Sequence, residues 1–145
     1  FSAFAVPRLA LRHTPRDARA ALAAGEVVLL AGGTGNPYFT TDTAAAVRAL
    51  ELECTLLIKG TKVDGVYDAD PVTQPGARRF AHLTYDELLR RRLGVMDLTA
   101  VTLCMENALP VVVLDATKTG SVERYLREGA GGTRIEPAER RAPGR

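Results

Sequence analysis

Three short apolar runs, each ended by glycine or polar residues and separated by segments typical of helices, constrain the fold of this chain most strongly. The runs cover 26–31, 55–59 and Val111–Asp115. Their short length and their aliphatic and β-branched residues favour buried strands. Strands that alternate with short helices predict an α/β fold, in which a mainly parallel sheet is covered on both faces as a three-layer αβα sandwich.

Five helices are predicted around these strands, at 17–24, 43–52, 85–91, 98–107 and Ser121–Glu128. Asp42 and Asp97 are the predicted N-caps of the second and fourth helices, and Thr84 opens a capping box at the third. Gly25 and Gly129 are the predicted stops of the first and last helices. A small last strand is predicted at 132–135.

The composition is that of an ordinary globular domain and argues against a nucleic-acid or membrane protein. The chain has 145 residues, of which 46% are hydrophobic and 25% charged, and its formal net charge is +2. A nucleic-acid binder would carry a dominant, clustered basic charge, and no apolar run approaches the ~18 residues of a membrane span. Three of the 19 basic residues are lysines, and two of these, Lys59 and Lys62, lie three residues apart.

The cysteines and histidines indicate neither a disulfide framework nor a catalytic histidine. Cys54 and Cys104 lie far apart in apolar segments, and we expect both to be buried free thiols of a reducing compartment. His13 and His82 have no nucleophile at a telling spacing. No metal site of the protein is predicted from these residues.

A glycine-rich loop, Gly32-Gly-Thr-Gly-Asn-Pro-Tyr-Phe-Thr-Thr-Asp42, follows the first apolar run. Its glycines allow the backbone to approach a ligand and to point N–H groups at a phosphate. Its Asn and Thr side chains offer neutral hydrogen-bonding groups to a base or sugar. The loop matches neither the P-loop nor the dinucleotide fingerprint. A tight strand-to-helix turn that binds nothing is the alternative.

A second loop, 59–71, combines Lys59 and Lys62 with Tyr67 and the aspartates at 64, 68 and 70. Lysine suits phosphate groups as a point charge, and a tyrosine ring can cover an adenine. The aspartates lack the spacing of a calcium loop. A solvated loop in which the opposite charges pair with one another is the alternative.

A third polar loop, 115–121, precedes the last predicted helix. Its position allows anion binding at the helix N-terminus, and a plain capped turn explains it as well. All three loops follow predicted parallel strands, so we expect them at one edge of the sheet, where ligands of open α/β sheets bind.

Together these loops resemble those of the bacterial UMP kinases, a branch of the amino acid kinase family. The stretch 33–42 is similar to the uridylate loop of that family, and 59–71 is similar to its ATP loop. Further similar segments are 83–85, 95–100, 109–114 with the Lys-Thr-Gly turn after it, and 132–135. The ATP loop alone does not separate UMP kinases from aspartate or glutamate kinases, whereas 33–42 does. The resemblance runs from about Val27 to Ile135.

The resemblance implies transfer of the γ-phosphoryl group of ATP, with Mg²⁺, to UMP, which gives UDP and ADP in pyrimidine nucleotide biosynthesis. It assigns UMP to Gly33, Thr34, Gly35, Asn36, Pro37, Tyr38, Phe39 and Thr40. It assigns ATP to Thr61, Tyr67 and Asp70. It makes Asp42 the acidic residue that orients the catalytic lysines of the family. Whether Lys59 or Lys62 contacts phosphate stays open.

The chain departs from the family pattern in one large respect. The family begins with a strand and a Lys-x-Ser-Gly-Glu type of loop that supplies a catalytic lysine, then has a second glycine loop with an Arg and an Asp that helps to bind UMP. None of these occurs in the 145 residues. We therefore interpret 1–135 as the C-terminal, nucleotide-binding part of an amino acid kinase domain and expect this chain alone to be inactive or nearly so.

Two alternatives to a UMP kinase stay open at this point. One is another member of the amino acid kinase family that phosphorylates a carboxylate such as glutamate or aspartate. The other is a non-catalytic nucleotide- or oxyanion-binding protein on the same fold.

The resemblance also implies a cytoplasmic homo-oligomer, a hexamer in the family, with UTP and GTP as effectors in many members. No nucleic-acid or membrane partner is expected. The residues 136–145, which include two Pro and five charged side chains, are predicted to be a disordered tail.

Overall fold

The structure is a computed structural model that describes residues 1–138. It contains the helices α1 (Pro15–Ala23), α2 (Thr41–Glu51), α3 (Tyr85–Arg90), α4 (Leu98–Glu106) and α5 (Ser121–Glu128). The strands are β1 (Leu57–Thr61), β2 (His82–Thr84), β3 (Val111–Asp115) and β4 (Thr133–Glu136). Most of the predicted tail, 139–145, lies outside the described residues, and Glu136 is the last residue of β4.

The four strands form one sheet in the order β1-β3-β4-β2. β1 pairs parallel with β3, and β2 pairs parallel with β4, whereas β3 and β4 are antiparallel. The sheet is therefore mixed and mostly parallel, as predicted. Because β1 and β3 run in the same direction, the loops that follow Thr61 and Asp115 leave the sheet at the same edge.

β3 is the centre of the core, since all five of its residues are buried. Val111 and Val113 lie in a cluster with buried side chains of α2, α3 and α4. Val112 and Leu114 lie in a second cluster with Tyr125 of α5. Alternate residues of a strand point to opposite faces, so helices cover both faces and the predicted three-layer α/β architecture is confirmed.

The helix starts follow the predicted capping chemistry except at α2. The Thr84–Glu87 capping box opens α3, and the Asp97 side chain accepts from the N–H of Ala100 at the start of α4. α2 is capped by Thr40 instead of the predicted Asp42: Thr40 has extended backbone, and its hydroxyl accepts from the N–H of Thr43. The prediction of Asp42 as the cap is wrong because Thr40 takes that place, and Asp42 lies in the first turn of the helix.

The predicted strand at 26–31 is not formed within the described residues. Its apolar side chains are largely exposed, Val27 at 88% and Leu29 at 78%. Its backbone contacts are few: the Phe1 ammonium donates to the carbonyl of Leu29, and Ala31 exchanges hydrogen bonds with Phe1 and Ala3. An apolar run predicts burial only where neighbouring strands and helices cover it, and the sheet formed within residues 1–138 does not include this run.

Two smaller corrections concern β1 and the cysteines. β1 covers Leu57–Thr61 and not 55–59, so Lys59 lies inside the strand and not at its end. Cys104 is a buried free thiol as predicted, and burial raises its pKa. Cys54 is a free thiol but exposed, because it follows the end of α2 outside any strand.

Candidate functional site

The predicted acceptor loop, 33–40, shares a concave surface with one face of α2 and with α4. Thr34, Asn36 and Phe39 line a cavity of about 380 Å³ together with residues of the two helices. The helix residues are Thr43, Val47, Arg48, Glu51, Thr99 and Leu103. The loop thus places amide and hydroxyl groups beside an apolar ring on one concave surface.

The backbone of this loop depends on glycine. Gly33 and Gly35 have φ values of 64° and 79°, in the left-handed region that glycine adopts without strain. The hydroxyl of Thr34 accepts from the N–H of Asn36 at 3.1 Å and closes the turn locally. Tyr38 also has a positive φ, 68°, and its side chain is fully exposed, so it does not line the cavity.

Asp42 and Lys59 form an ion pair that joins the two predicted substrate loops. The Nζ of Lys59 on β1 donates to Oδ2 of Asp42 at 2.6 Å, and each side chain is about one quarter exposed. Asp42 is in the first turn of α2, where the helix dipole also favours a negative charge. Of the two lysines left open by the sequence, Lys59 therefore has a fixed position, whereas Lys62 is exposed and makes no ion pair within residues 1–138.

Asp97 connects the acceptor side to α4. Its carboxylate accepts from the hydroxyls of Thr40 and Thr43, with a distance of 3.0 Å from Thr43 Oγ1 to Oδ1, and from the N–H of Ala100. Burial alone would raise the pKa of Asp97, but the hydrogen bonds from Thr40 and from the helix outweigh it and lower the pKa. The sequence identified Asp97 only as a cap; its contact with Thr40 was missed because a partner 57 residues away leaves no local signal.

Tyr67 and Asp70 of the predicted ATP loop line a second cavity, of about 360 Å³. The phenol of Tyr67 donates to Oδ1 of Asp64 at 2.7 Å, and this bond is the main cause of the lowered pKa of Asp64. Arg79 donates to the backbone carbonyl of Asp64 at 2.8 Å. The carboxylate of Asp70 has one hydrogen bond among the described residues, in which Oδ1 accepts from the N–H of Val72.

Thr61, the third residue assigned to ATP, does not line that cavity. It ends β1, and its hydroxyl donates to the carbonyl of Val63 at 2.7 Å while its own carbonyl accepts from the N–H of Ala116. Thr61 therefore lies at the sheet edge that β1 and β3 share, beside the third polar loop. Tyr67 and Asp70 therefore share one cavity, which Thr61 does not line.

The segment 92–97 spans the distance between the two cavities. Arg92, Leu93, Gly94 and Val95 line the cavity of Tyr67 and Asp70. Two residues later Asp97 accepts from Thr40 and Thr43 of the acceptor side. The segment 92–97 therefore connects the wall of the cavity of Tyr67 and Asp70 to the carboxylate that accepts from Thr40 at the end of the acceptor loop.

The third polar loop, 115–121, brings a lysine close to two arginines at the sheet edge. Asp115 accepts from the hydroxyl and the N–H of Thr117, and the Thr117 hydroxyl is the main cause of the lowered pKa of Asp115. Lys118 and Arg124 line a small cavity of about 60 Å³ with Asp64 and Arg79. α5 begins after Gly120 without a side-chain cap, so of the two alternatives for this loop the plain capped turn is not formed.

Within residues 1–138 no group of three or more His, Cys, Asp or Glu side chains is arranged to hold a metal ion. None of the helices in the same range has the length and apolar character that crossing a membrane requires.

Known proteins that are similar to this chain belong to the group that its loops resemble. The chain is 51% identical over 132 residues to a uridylate kinase of Pseudomonas syringae pv. syringae (strain B728a), an alignment that covers 91% of this chain and 50% of that relative. A crystal structure of UMP kinase from Ureaplasma parvum superimposes with a TM-score of 0.89 at 35% identity, over 93% of this chain and 58% of that one. UMP kinase from Bacillus anthracis gives a TM-score of 0.88 at 29% identity, over 93% and 56%.

The chain therefore spans about half the length of the curated relatives that it matches. The model of the amino acid kinase family matches residues 5–115, which is most of the chain. On this match, and with a mostly parallel sheet covered by helices, the chain belongs to the amino acid kinase family.

Proposed function

We propose that this chain is the C-terminal part of a UMP kinase, in which the loop 33–40 binds UMP and the loop 59–71 contributes to the ATP site. The observation that supports this most directly is the ion pair of Asp42 with Lys59, because it ties the end of the acceptor loop to the strand that leads into the nucleotide loop. The printed names of the relatives, uridylate kinase and UMP kinase, supply the substrate class.

On the acceptor side, the chemistry of the cavity suits a nucleoside monophosphate. Asn36 and Thr34 offer an amide and a hydroxyl to the base and sugar, and Phe39 offers a flat apolar surface. The glycine-rich backbone lets N–H groups approach a phosphate closely. The roles of Gly33, Gly35, Pro37, Tyr38 and Thr40 follow from the same proposal.

On the nucleotide side, Tyr67 supplies an aromatic surface and Asp70 a carboxylate in one cavity. An adenine ring packs on such a surface, and a carboxylate accepts hydrogen bonds from amino or hydroxyl groups. Thr61 at the end of β1 is placed by the proposal toward the phosphates of ATP. Mg²⁺ would be carried by those phosphates, since Mg²⁺ keeps several waters and few protein ligands at such sites.

The reaction needs positioning and charge neutralisation more than covalent help from the protein. An oxygen of the UMP phosphate attacks the γ-phosphorus of ATP, and the bond from that phosphorus to the bridging oxygen breaks as ADP leaves with the electron pair. Negative charge spreads over the transferred group in the transition state. Lys59, which Asp42 holds in place, contributes fixed positive charge, and Asp42 acts through the lysine and not on the substrate.

The proposal extends to the setting of the whole enzyme. It places the chain in the cytoplasm, in pyrimidine nucleotide biosynthesis, as part of a homo-oligomer whose hexameric form and UTP and GTP effectors follow from the family resemblance alone. It also assigns the catalytic lysine of the Lys-x-Ser-Gly-Glu loop to a segment not contained in these 145 residues. The chain alone is then a binder without turnover.

An NMR titration of the ¹⁵N-labelled chain with UMP tests the acceptor assignment. We expect saturable shifts confined to 33–40 and to the facing residues of α2 and α4. Asn36→Ala should weaken the affinity for UMP at least fivefold, because Asn36 lines the cavity. Asn107→Ala is the matched control, since Asn107 follows the end of α4 and its side chain donates to the carbonyl of Leu103 within that helix. The affinity of this variant should stay within twofold.

A coupled assay of ADP release completes the test. The chain alone should show no turnover above background with ATP and UMP, and activity should arise on mixing with the amino-terminal half of the Pseudomonas syringae relative. Turnover by the chain alone would contradict the assignment of the catalytic lysine to another segment. Shifts with glutamate or aspartate but not with UMP would favour a carboxylate kinase instead, and binding without turnover in the mixture would favour the non-catalytic alternative.

A further inference from the structure

Arg48 on α2 ties the acceptor loop to the body of the protein. One guanidinium nitrogen donates to the backbone carbonyl of Gly33 at 3.2 Å, and the other donates to Oε2 of Glu51 at 2.6 Å. The Arg48 side chain as a whole is 16% exposed; its bond to Glu51 is partly buried, and its bond to the Gly33 carbonyl lies at the surface. A hydrogen bond from a charged donor is stronger than one between neutral groups.

The contact matters because packing does not fix the loop at this point. A Cβ built on Gly33 would meet nothing within 4 Å, and the residue has a positive φ that glycine adopts freely. Of the contacts described around Gly33, the Arg48 bond is the one that sets where its carbonyl points. A glycine-rich loop without such a bond loses more conformational entropy when it binds a ligand.

Glu51 in turn is held by a histidine from the amino-terminal segment. Nε2 of His13 lies 3.0 Å from the same Oε2 that Arg48 contacts, and the His13 side chain is 4% exposed. A carboxylate accepts hydrogen bonds, so Nε2 is the donor of this contact, and Nδ1 is buried without a hydrogen-bond partner within residues 1–138. Burial alone would raise the pKa of Glu51, but the hydrogen bonds from Arg48 and His13 outweigh it and lower that pKa, so the carboxylate is charged at neutral pH.

We propose that Arg48 is a positioning residue for the UMP-binding loop, and that the His13–Glu51 pair fixes Arg48 in the orientation that holds the Gly33 carbonyl. The inference rests on the proposed function, which assigns 33–40 to UMP. Arg48 also lines the acceptor cavity, and the inference is that its effect on UMP binding comes through the loop. The sequence assigned no role to His13. In the structure it is linked to the acceptor loop through Glu51 and Arg48, by three successive contacts.

Three variants of the ¹⁵N-labelled chain test this inference. Arg48→Met keeps the apolar stem but removes both contacts, and Arg48→Lys keeps the charge but has one ammonium that does not reach both partners. Arg19→Met is the matched control, because Arg19 also pairs with a glutamate, Glu53, and has no described contact with the loop. The heteronuclear NOE of the amides at 33–36 reports the loop, and titrations with UMP and with uridine report binding.

We expect Arg48→Met to lower the NOE of the loop amides and to weaken UMP and uridine by the same factor, about tenfold. Arg48→Lys should lie between Arg48→Met and the wild type, and Arg19→Met should match the wild type in all readouts. Loop amides that stay as rigid as in the wild type would overturn the inference. So would a loss of UMP affinity with uridine unchanged, since that pattern belongs to a direct phosphate contact.

The result is separable from the fate of the proposed function. If the wild-type chain binds neither UMP nor uridine, the proposed function fails. The NOE of the loop amides then still decides whether Arg48 positions the loop, because that measurement needs no ligand.

Discussion

At the scale of single residues, the contact that matters most is the one between Asp42 and Lys59. The two residues are 17 apart in sequence, one in the first turn of a helix and the other inside a strand. Each side chain is about one quarter exposed, which places the pair between a weak surface pair and a fully buried one. The pair therefore has a measurable coupling energy.

A double-mutant cycle with Asp42→Asn and Lys59→Met should give a coupling of about 1 kcal/mol in the free energy of unfolding. The cycle cancels the separate effect of Asp42 on the helix dipole. Urea denaturation followed by circular dichroism measures all four variants. The control cycle uses Glu123 and Arg127 on α5, whose side chains are 65% and 76% exposed, and its coupling should stay below about 0.5 kcal/mol. Equal couplings in the two cycles would contradict the assigned strength of the Asp42–Lys59 pair.

At the scale of elements, two apolar runs of similar composition differ in burial. β3 (Val111–Asp115) is buried on both faces because β1 and β4 flank it and helices cover both sides. The run 26–31 lies outside the sheet, and its valine and leucine side chains are exposed. The same residue type is therefore expected to contribute very differently to stability in the two places.

Val112→Ala should lower the free energy of unfolding by about 2 kcal/mol, because it removes two methyl groups from a fully buried side chain of β3 that lies in one cluster with Tyr125. Val27→Ala is the matched control. Since Val27 is 88% exposed, its change should stay within about 0.5 kcal/mol. Urea denaturation of both variants measures this, and a large loss at Val27 would mean that the run 26–31 is buried in solution.

At the scale of the whole molecule, one side of the sheet remains open. β1 is an edge strand of the four-stranded sheet described here. A groove of about 500 Å³ beside it is lined mainly by apolar side chains of α2 and of residues 52–57, with Leu30 from the exposed run. Exposed apolar surface next to a free strand edge favours association with other chains.

We therefore expect this chain to self-associate in a concentration-dependent way, and the double variant Val27→Lys with Leu29→Lys to reduce that association. The side chains at both positions are largely exposed, so the charges should leave the melting temperature nearly unchanged. Sedimentation velocity over a tenfold range of concentration measures the effect. Leu126→Lys on α5, at a position 62% exposed, is the control; if it reduces association equally, the open side of the sheet is not the surface involved.

The parts of the fold that the sequence predicted are those with a local physical cause. The capping box from Thr84, the Asp97 cap, the strand Val111–Asp115 and the stop at Gly129 all depend on residues within a few positions of one another. The parts that it did not predict depend on partners far along the chain. β2 has only three residues and exists because it pairs with β4 some fifty residues later.

The candidate site divides in the same way. The residues of 33–42 and 59–71 carried the resemblance that predicts an acceptor loop and a nucleotide loop, and this assignment stays a prediction, whereas the match of the family model shows the family to which the chain belongs. The side chains that contact the loop 33–40 from outside were not identified from the sequence. Nothing in the local pattern distinguished Arg48 and Glu51 from other polar residues of a helix, and His13 had no evident partner.

By itself the sequence determined the fold class and most helix boundaries, because caps, glycine turns and apolar periodicity act over a few residues. Only the tertiary structure decided that Thr40 caps α2 while Asp42 reaches Lys59, that the run 26–31 stays exposed, and that Arg48 links Gly33 to Glu51. The physical reason is the same in each case. Hydrogen bonds between distant residues and the burial of an apolar run depend on which elements pack together, and a local pattern carries no record of that.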